Sequence, residues 1–92
     1  MDKAIHSRLG ECFRQAIVEI RQQAGLNQRQ LAARLAKPRS FVGRLEVGER
    51  RLDVVEFYWL CKACGIDPQK AAQRVMRMLE AAEVGPAKKK AG

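Results

Sequence analysis

The stretch that decides the fold is residues 27–47, NQRQLAARLAKPRSFVGRLEV. Asn27 followed by Gln30 is the pattern of a helix N-cap with its capping box, and Pro38 fits the first position of a new helix. Apolar residues recur at helical spacing on both sides of that proline. They are Leu31, Ala32, Leu35, Phe41, Val42 and Leu45. The stretch therefore predicts two short helices joined by a tight turn at Lys37-Pro38.

The flanking sequence predicts three further helices. The first runs from Ser7 to Ala24, the fourth begins at Asp53 with Glu56 completing a second capping box, and the fifth opens at Asp67-Pro68. Their apolar stripes are Leu9, Phe13, Ile17, Ile20 and Ala24, then Val54, Phe57, Leu60, Cys61 and Cys64, then Ala72, Val75, Leu79 and Ala82. Ala, Leu, Arg, Gln and Glu, which are good helix formers, dominate the composition. We therefore expect an all-α fold, a compact five-helix domain.

Length and charge limit the organisation and the partners. The chain has 92 residues, with 18 Lys and Arg against 10 Asp and Glu. This length suits one domain, residues 9–82, and we expect residues 1–8 to form an N-terminal arm and residues 83–92, including Lys88-Lys89-Lys90, a disordered basic tail. A net charge of +8 favours a polyanionic partner, with nucleic acid first and an anionic membrane surface as the rival. No membrane-spanning run or secretory signal is apparent, so we expect a cytoplasmic protein and no membrane partner.

The two central helices have the pattern of a helix-turn-helix. In that arrangement the second helix enters the major groove of DNA, led by its N-terminal residues. Residues 27–52 contain seven Arg and Lys against two Glu. The positive charge is therefore concentrated where phosphates would lie, which favours double-stranded DNA as the partner.

The same region resembles a known family. Residues 25–32, GLNQRQLA, are similar to the opening of the helix-turn-helix in the Xre/Cro/lambda-repressor family. Residues 40–48, SFVGRLEVG, resemble its third helix, and residues 49–57, ERRLDVVEF, resemble a stretch of small stand-alone bacterial members. The resemblance covers about residues 9–79. It implies a lambda-repressor-like fold and a DNA-binding transcriptional regulator.

The resemblance also implies roles for individual residues. Base reading in the major groove falls to Arg39, Ser40, Gly43 and Arg44. We expect Arg39 and Arg44 to contribute most, because Arg pairs bidentately with guanine O6 and N7. Contacts to phosphates fall to Asn27, Gln28, Arg29, Lys37, Arg50 and Arg51. Arg21 and Glu46 match the positions of an internal ion pair.

Two residues depart from the family pattern. Many relatives have Gly at the position of Ala36, so this alanine has either to adopt a strained conformation or to continue the helix. Gly43 lies inside the recognition helix, where it costs about 1 kcal/mol relative to Ala. It removes one base contact, and it either permits a closer approach to DNA or is merely tolerated.

One recognition helix offers few base contacts, which predicts a homodimer on an inverted repeat with half-sites about 10 bp apart. Four apolar residues that the core stripes do not absorb are candidates for the dimer interface. They are Tyr58, Trp59, Met76 and Met78. The alternative is that they pack under the N-terminal arm or fill gaps in the core. Repression is the default expectation, because no ligand-binding domain or activation segment is apparent.

Other classes of function find little support. Cys61 and Cys64 lie in an apolar stripe, so burial explains them better than a zinc or redox site with Cys12 and His6. With one His, two Ser, no Thr and no glycine-rich phosphate loop, we expect no catalytic residues, no metal and no cofactor. One alternative is the antitoxin of a toxin–antitoxin pair, which binds DNA and a partner protein. Another is a protein-binding module without DNA affinity, which would show no salt-sensitive DNA binding.

Overall fold

Five α-helices account for most of the chain. They are seen in a computed structural model that describes the backbone of residues 3–89 and the side chains of residues 7–84. In chain order the helices are α1 (Lys3–Gln23), α2 (Gln28–Arg34), α3 (Arg39–Val47), α4 (Val54–Ala63) and α5 (Pro68–Lys89). The residues in this range form no strand. The prediction of an all-α, five-helix fold is therefore confirmed.

Both capping boxes predicted from the sequence are present. Asn27 Oδ1 accepts a hydrogen bond from the Gln30 backbone N at 2.8 Å, and the Gln30 side chain accepts from the Asn27 backbone N at 2.8 Å. Asp53 and Glu56 make the same reciprocal pair at the start of α4, at 2.7 and 3.0 Å. Because these bonds satisfy N–H groups that have no partner inside a helix, they fix where α2 and α4 begin.

The outer ends of the two long helices differ from the prediction. Helix α1 begins at Lys3, four residues before the start predicted at Ser7, so most of the expected arm, from residue 3 to residue 8, is helical. No Gly or Pro precedes Gly10 to interrupt a helix there. Helix α5 continues to Lys89, so residues 83–89, expected in a disordered tail, are helical as well. The disordered tail was predicted from low complexity and basic charge, but the alanines and lysines of this segment also favour helix. The rest of the predicted tail, residues 90–92, lies outside the described residues.

The core lies where α1, α3, α4 and α5 meet, with α2 packed on α3 and α4. The largest fully buried side chains are Leu31, Val42, Leu60 and Cys61. Cys64 is also buried, as its place in the apolar stripe predicted. Burial raises the pKa of the Cys61 thiol to about 11, so the uncharged form is strongly favoured at neutral pH.

One prediction about the core was wrong. Val54 was placed in the buried stripe of α4, yet it is 79% exposed. It is the first residue of α4, and it lies with Asp53 and Val55 at the exposed start of the helix. Met78, for which the sequence left both a dimer interface and a gap in the core open, packs partly buried against the core. The Cys12 thiol donates to the Met78 carbonyl at 3.6 Å, which places this turn of α5 against α1. In the part of the chain described, no helix is both long and apolar enough to cross a membrane.

Candidate nucleic-acid interface

Helix α3 separates a buried face from an exposed one. Phe41, Val42 and Leu45 are buried, whereas Arg39, Ser40 and Arg44 are exposed and Gly43 is half-buried. Ser40, Gly43 and Arg44 follow Arg39 by one, four and five residues. Residues at these spacings lie on one side of an α-helix. The structure therefore brings the four residues predicted to read bases onto one exposed face.

A buried carboxylate anchors α3 to the two preceding helices. Arg21 Nε donates to Glu46 Oε2 at 2.7 Å and Arg21 Nη2 donates to Glu46 Oε1 at 3.1 Å. The two side chains are only 12% and 6% exposed. Arg21 Nη1 also donates to the Leu26 carbonyl at 2.9 Å, which holds the segment entering α2. A bidentate, nearly buried pair of this kind fixes orientation as well as distance.

Gln28 and Gly43 meet where α2 faces α3. Gln28 is exposed, and its Nε2 donates to Glu46 Oε1 at 2.8 Å. A Cβ added to Gly43 would lie 3.6 Å from Gln28 Oε1, an ordinary van der Waals distance. Packing within the protein therefore does not require glycine at this position. Gly43 therefore lies half-buried beside the Gln28 amide and adds no side chain to the exposed face of α3.

The turn between α2 and α3 contains the departure noted at Ala36. This residue has a φ of 56°, the left-handed conformation that glycine adopts readily and alanine does not. The backbone N of Ala36 donates to Ala33 and that of Lys37 to Ala32, at 3.1 and 3.0 Å, which closes the end of α2. The sequence left open whether Ala36 is strained or continues the helix, and the structure shows the strained left-handed conformation. The tight turn is kept without glycine.

The C-terminal end of α3 is shaped by Gly48, which ends the helix, and by Arg14, which sequence reasoning missed. Gly48 has a φ of 87° and caps α3 through bonds from its N–H to the carbonyls of Arg44 and Leu45. A Cβ at Gly48 would lie 3.0 Å from Arg14 Cζ, so the Arg14 guanidinium occupies the space beside it. Arg14 belongs to α1, and no local pattern in the sequence signals a contact between residues this far apart.

The six residues predicted to contact phosphates differ in whether their side chains form hydrogen bonds within the protein. The side-chain oxygen of Asn27 serves the cap of α2, and Gln28 is joined to Glu46. Arg29, Lys37 and Arg51 are exposed, with Lys37 Nζ 5.3 Å from the centre of the Phe41 ring. Arg50 forms an ion pair with another side chain of the protein.

Arg50 forms a two-bond ion pair with Glu56. Its Nη1 and Nη2 donate to Glu56 Oε1 and Oε2 at 3.0 and 2.7 Å, and its Cζ lies 4.6 Å from the centre of the Phe41 ring. Hydrogen bonding from Arg50, and then from the Asp53 backbone, lowers the pKa of Glu56 to about 2. Arg50 and Glu56 are six residues apart, and α4 begins between them. Ion pairs are recognised in a sequence when the residues are three or four positions apart within one helix, so this pair was not predicted. The loop after α3 is thereby fixed to α4.

Two short helices joined by a tight turn, the second one with a basic exposed face, define a helix-turn-helix DNA-binding domain. The comparisons agree with this. The family model "Helix-turn-helix" matches residues 17–70. The fold is similar to that of an XRE-family like protein from Pseudomonas syringae pv. tomato str. DC3000. The two are 41% identical, the match covers 83% of this chain and 93% of that one, and the TM-score is 0.74. No curated protein matches the chain.

The chain belongs to the XRE family of helix-turn-helix proteins. The family predicted from residues 25–57 is therefore confirmed. The protein is a DNA-binding transcriptional regulator, and its partner is double-stranded DNA.

Proposed function

We propose that the protein binds DNA sequence-specifically as a homodimer, with α3 in the major groove of each half of an inverted-repeat operator, and represses transcription. The observation that carries this proposal is the way in which α3 is held against α1 and α2. Its exposed face presents Arg39 and Arg44, while its last turn is held through Glu46 by α1 and α2. A reading helix has to be held rigidly, because a bidentate contact to a base tolerates little displacement.

Base readout falls mainly to the two arginines on this face. Each can make two parallel hydrogen bonds to guanine, and each such contact discriminates by about 1–3 kcal/mol. Ser40 lies beside Arg39 and can donate or accept a hydrogen bond. Gly43 has no side chain that could make a base contact, so the readout rests on the residues around it.

Phosphate binding falls to side chains around the same face. Gln28 uses one N–H of its amide on Glu46, and the other can donate to a phosphate. Arg29, Lys37 and Arg51 are exposed and positively charged. The side-chain amide nitrogen of Asn27 can also donate a hydrogen bond to a phosphate. Arg50 would contribute least, because Glu56 offsets its charge.

Formation of a homodimer and repression of transcription are the regulatory part of the proposal. A single α3 reads few base pairs, so two copies on half-sites one helical turn apart would supply the specificity that a regulator needs. A dimer seated across an operator obstructs transcription without further machinery. The protein has to share a compartment with chromosomal DNA, and we accordingly propose a cytoplasmic location.

The proposal is tested by measuring duplex binding over a range of salt concentrations. The logarithm of the binding constant should fall linearly with the logarithm of salt concentration, with a slope of about −0.9 for each phosphate contact. Arg29→Ala and Arg51→Ala should each reduce the magnitude of that slope by about 1 per protomer. Arg77→Ala, on the exposed side of α5, removes the same charge and should leave the slope unchanged. Binding that does not respond to salt would refute the proposal.

A further inference from the structure

Helix α4 carries an exposed apolar face. Large hydrophobic side chains are exposed at seven positions among the described residues, and four of these lie on α4, namely Val54, Val55, Tyr58 and Trp59. Their spacing places them on one side of the helix. Tyr58 and Trp59 are 45% and 57% exposed, and their rings meet edge to face at 5.2 Å. We refer to these four residues as the α4 face.

A groove borders the α4 face on the side of α5. It has a volume of about 340 Å³, and its apolar walls include Val54, Tyr58, Pro68 and Ala72. Met76 is 61% exposed and lies one helical turn beyond Ala72, on the same side of α5. A groove of this size with aliphatic and aromatic walls suits a large apolar side chain.

Trp59 projects on the other side of the α4 face, next to α2. The hollow beside it is lined by Arg34, Leu35, Lys62 and Ala63. Arg34 Nη1 donates to the Ala63 carbonyl at 2.9 Å, which holds this guanidinium close to the tryptophan. The projecting aromatic side chain therefore has two cationic groups as neighbours.

The charges at the groove have the opposite sign. Asp67 lines the groove, and Asp53 immediately precedes Val54. One end of the surface thus offers a tryptophan beside two cations, and the other offers an apolar groove beside two carboxylates. A uniformly acidic or basic partner would place like charges together at one end. A second copy related by a two-fold rotation matches both ends at once, because such an interface pairs each end with the opposite end of the other copy.

We propose that the α4 face is the interface between two copies of this chain. Trp59 of each copy enters the groove of the other, and the cationic end of each copy faces the carboxylates of the other. This inference rests on the proposed homodimer and identifies its interface. Of the four candidates from the sequence, Tyr58, Trp59 and Met76 belong to this surface, whereas Met78 is packed against the core of its own chain.

Trp59 is the single tryptophan of the chain, so its fluorescence reports on this interface directly. Emission maximum and acrylamide quenching should be measured over a dilution series, with sedimentation equilibrium in parallel. As dimers form, the emission should shift to the blue and quenching should fall, since the indole leaves water. The same two readings on an inverted-repeat duplex and on a half-site extend the test to dimers that form only on DNA.

Two substitutions locate the contact. Trp59→Ala should weaken dimerisation at least about 30-fold by sedimentation, as expected for a buried aromatic anchor, with unchanged helical circular dichroism. Lys62→Glu should weaken it at least about tenfold, because a carboxylate then faces carboxylates. Arg44→Glu is the matched control in the absence of DNA, since it makes the same charge change at an exposed residue of α3, away from the α4 face and the groove. It should leave dimerisation unchanged.

The outcomes separate this inference from the proposed function. A dimer whose Trp59 remains as quenchable as in the monomer would overturn the inference, since the contact then lies elsewhere. A protein that stays monomeric at every concentration and on the inverted repeat would overturn it too. A dimer that buries Trp59 but does not bind DNA would support the interface and reject the proposed function.

Discussion

Gln28 and Glu46 are joined by a hydrogen bond of 2.8 Å from Nε2 to Oε1, although they lie 18 residues apart in the chain. The bond links the first residue of α2 to the last turn of α3. Glu46 also accepts two bonds from Arg21, so three helices meet at one carboxylate. A phosphate bound by Gln28 would therefore be linked to α3 through a single side chain.

Arg44→Ala should weaken binding to the preferred DNA site by about 1–3 kcal/mol and relax the base preference at one or two positions. Arg44 is exposed on α3, so its loss should leave thermal stability close to that of the wild type. Fluorescence anisotropy with duplexes substituted at single positions measures both effects. Arg77→Ala serves as the control for a lost surface charge. An equal loss of affinity on every sequence would show that Arg44 contacts the backbone only.

Gln28→Ala should weaken binding without changing the preferred sequence. Its side chain is proposed to bind a phosphate, and such contacts position the protein but carry no base information. The ion pair between Arg21 and Glu46 persists in this variant, which keeps α3 in place. Binding-site selection with the variant tests this, and an altered consensus sequence would count against the assigned role.

Ala36→Gly should raise the free energy of unfolding by about 1 kcal/mol, since glycine adopts the left-handed conformation of this turn without strain. Ala33→Gly is the matched comparison. It makes the same exchange at an exposed position inside α2 and should lower stability by about 1 kcal/mol. Urea denaturation measures both. If the two variants lose stability alike, Ala36 is not strained.

Glu56 makes stability depend on pH at the acidic end. Its pKa is about 2 in the folded protein against an ordinary value of 4.5. The ion pair with Arg50 therefore contributes fully above pH 4.5, and the contribution is lost as the pH falls toward 2. Glu56→Gln preserves the capping box but removes the charge. The Tm difference between wild type and this variant should be largest above pH 4.5 and shrink toward pH 2.

Thermal unfolding followed by far-ultraviolet circular dichroism gives these Tm values. Glu83→Gln, at an exposed residue of α5, should show no such trend. A difference between wild type and Glu56→Gln that stays constant between pH 4.5 and 2 would contradict the lowered pKa.

Features set by short spacings in the chain were predictable from the sequence. The capping boxes at Asn27 and Asp53 each need only two residues three positions apart, and both are present. The helix-turn-helix likewise depends on apolar residues within one short segment. The exposed face of α3 follows from the same periodicity, which is why Arg39 and Arg44 could be named together.

What depends on contacts between distant segments could not be predicted. Periodicity places Val54 in line with Cys61, but burial also requires a neighbouring helix over that turn. The position of Arg14 beside Gly48 and the pairing of Arg50 with Glu56 arise only once α1, α3 and α4 pack together. The extent of α5 beyond residue 82 was not predicted, because a low-complexity basic segment indicates disorder even when its alanines and lysines can form helix.

The central claim is that two copies of α3 read an inverted repeat in the major groove. The most direct test is in vitro selection from random duplex DNA with the purified protein at moderate salt. The account predicts an enriched inverted repeat, with half-sites about 10 bp apart and guanines at the positions that Arg39 and Arg44 contact. Salt-sensitive binding without any enriched sequence, or no binding at all, would contradict it.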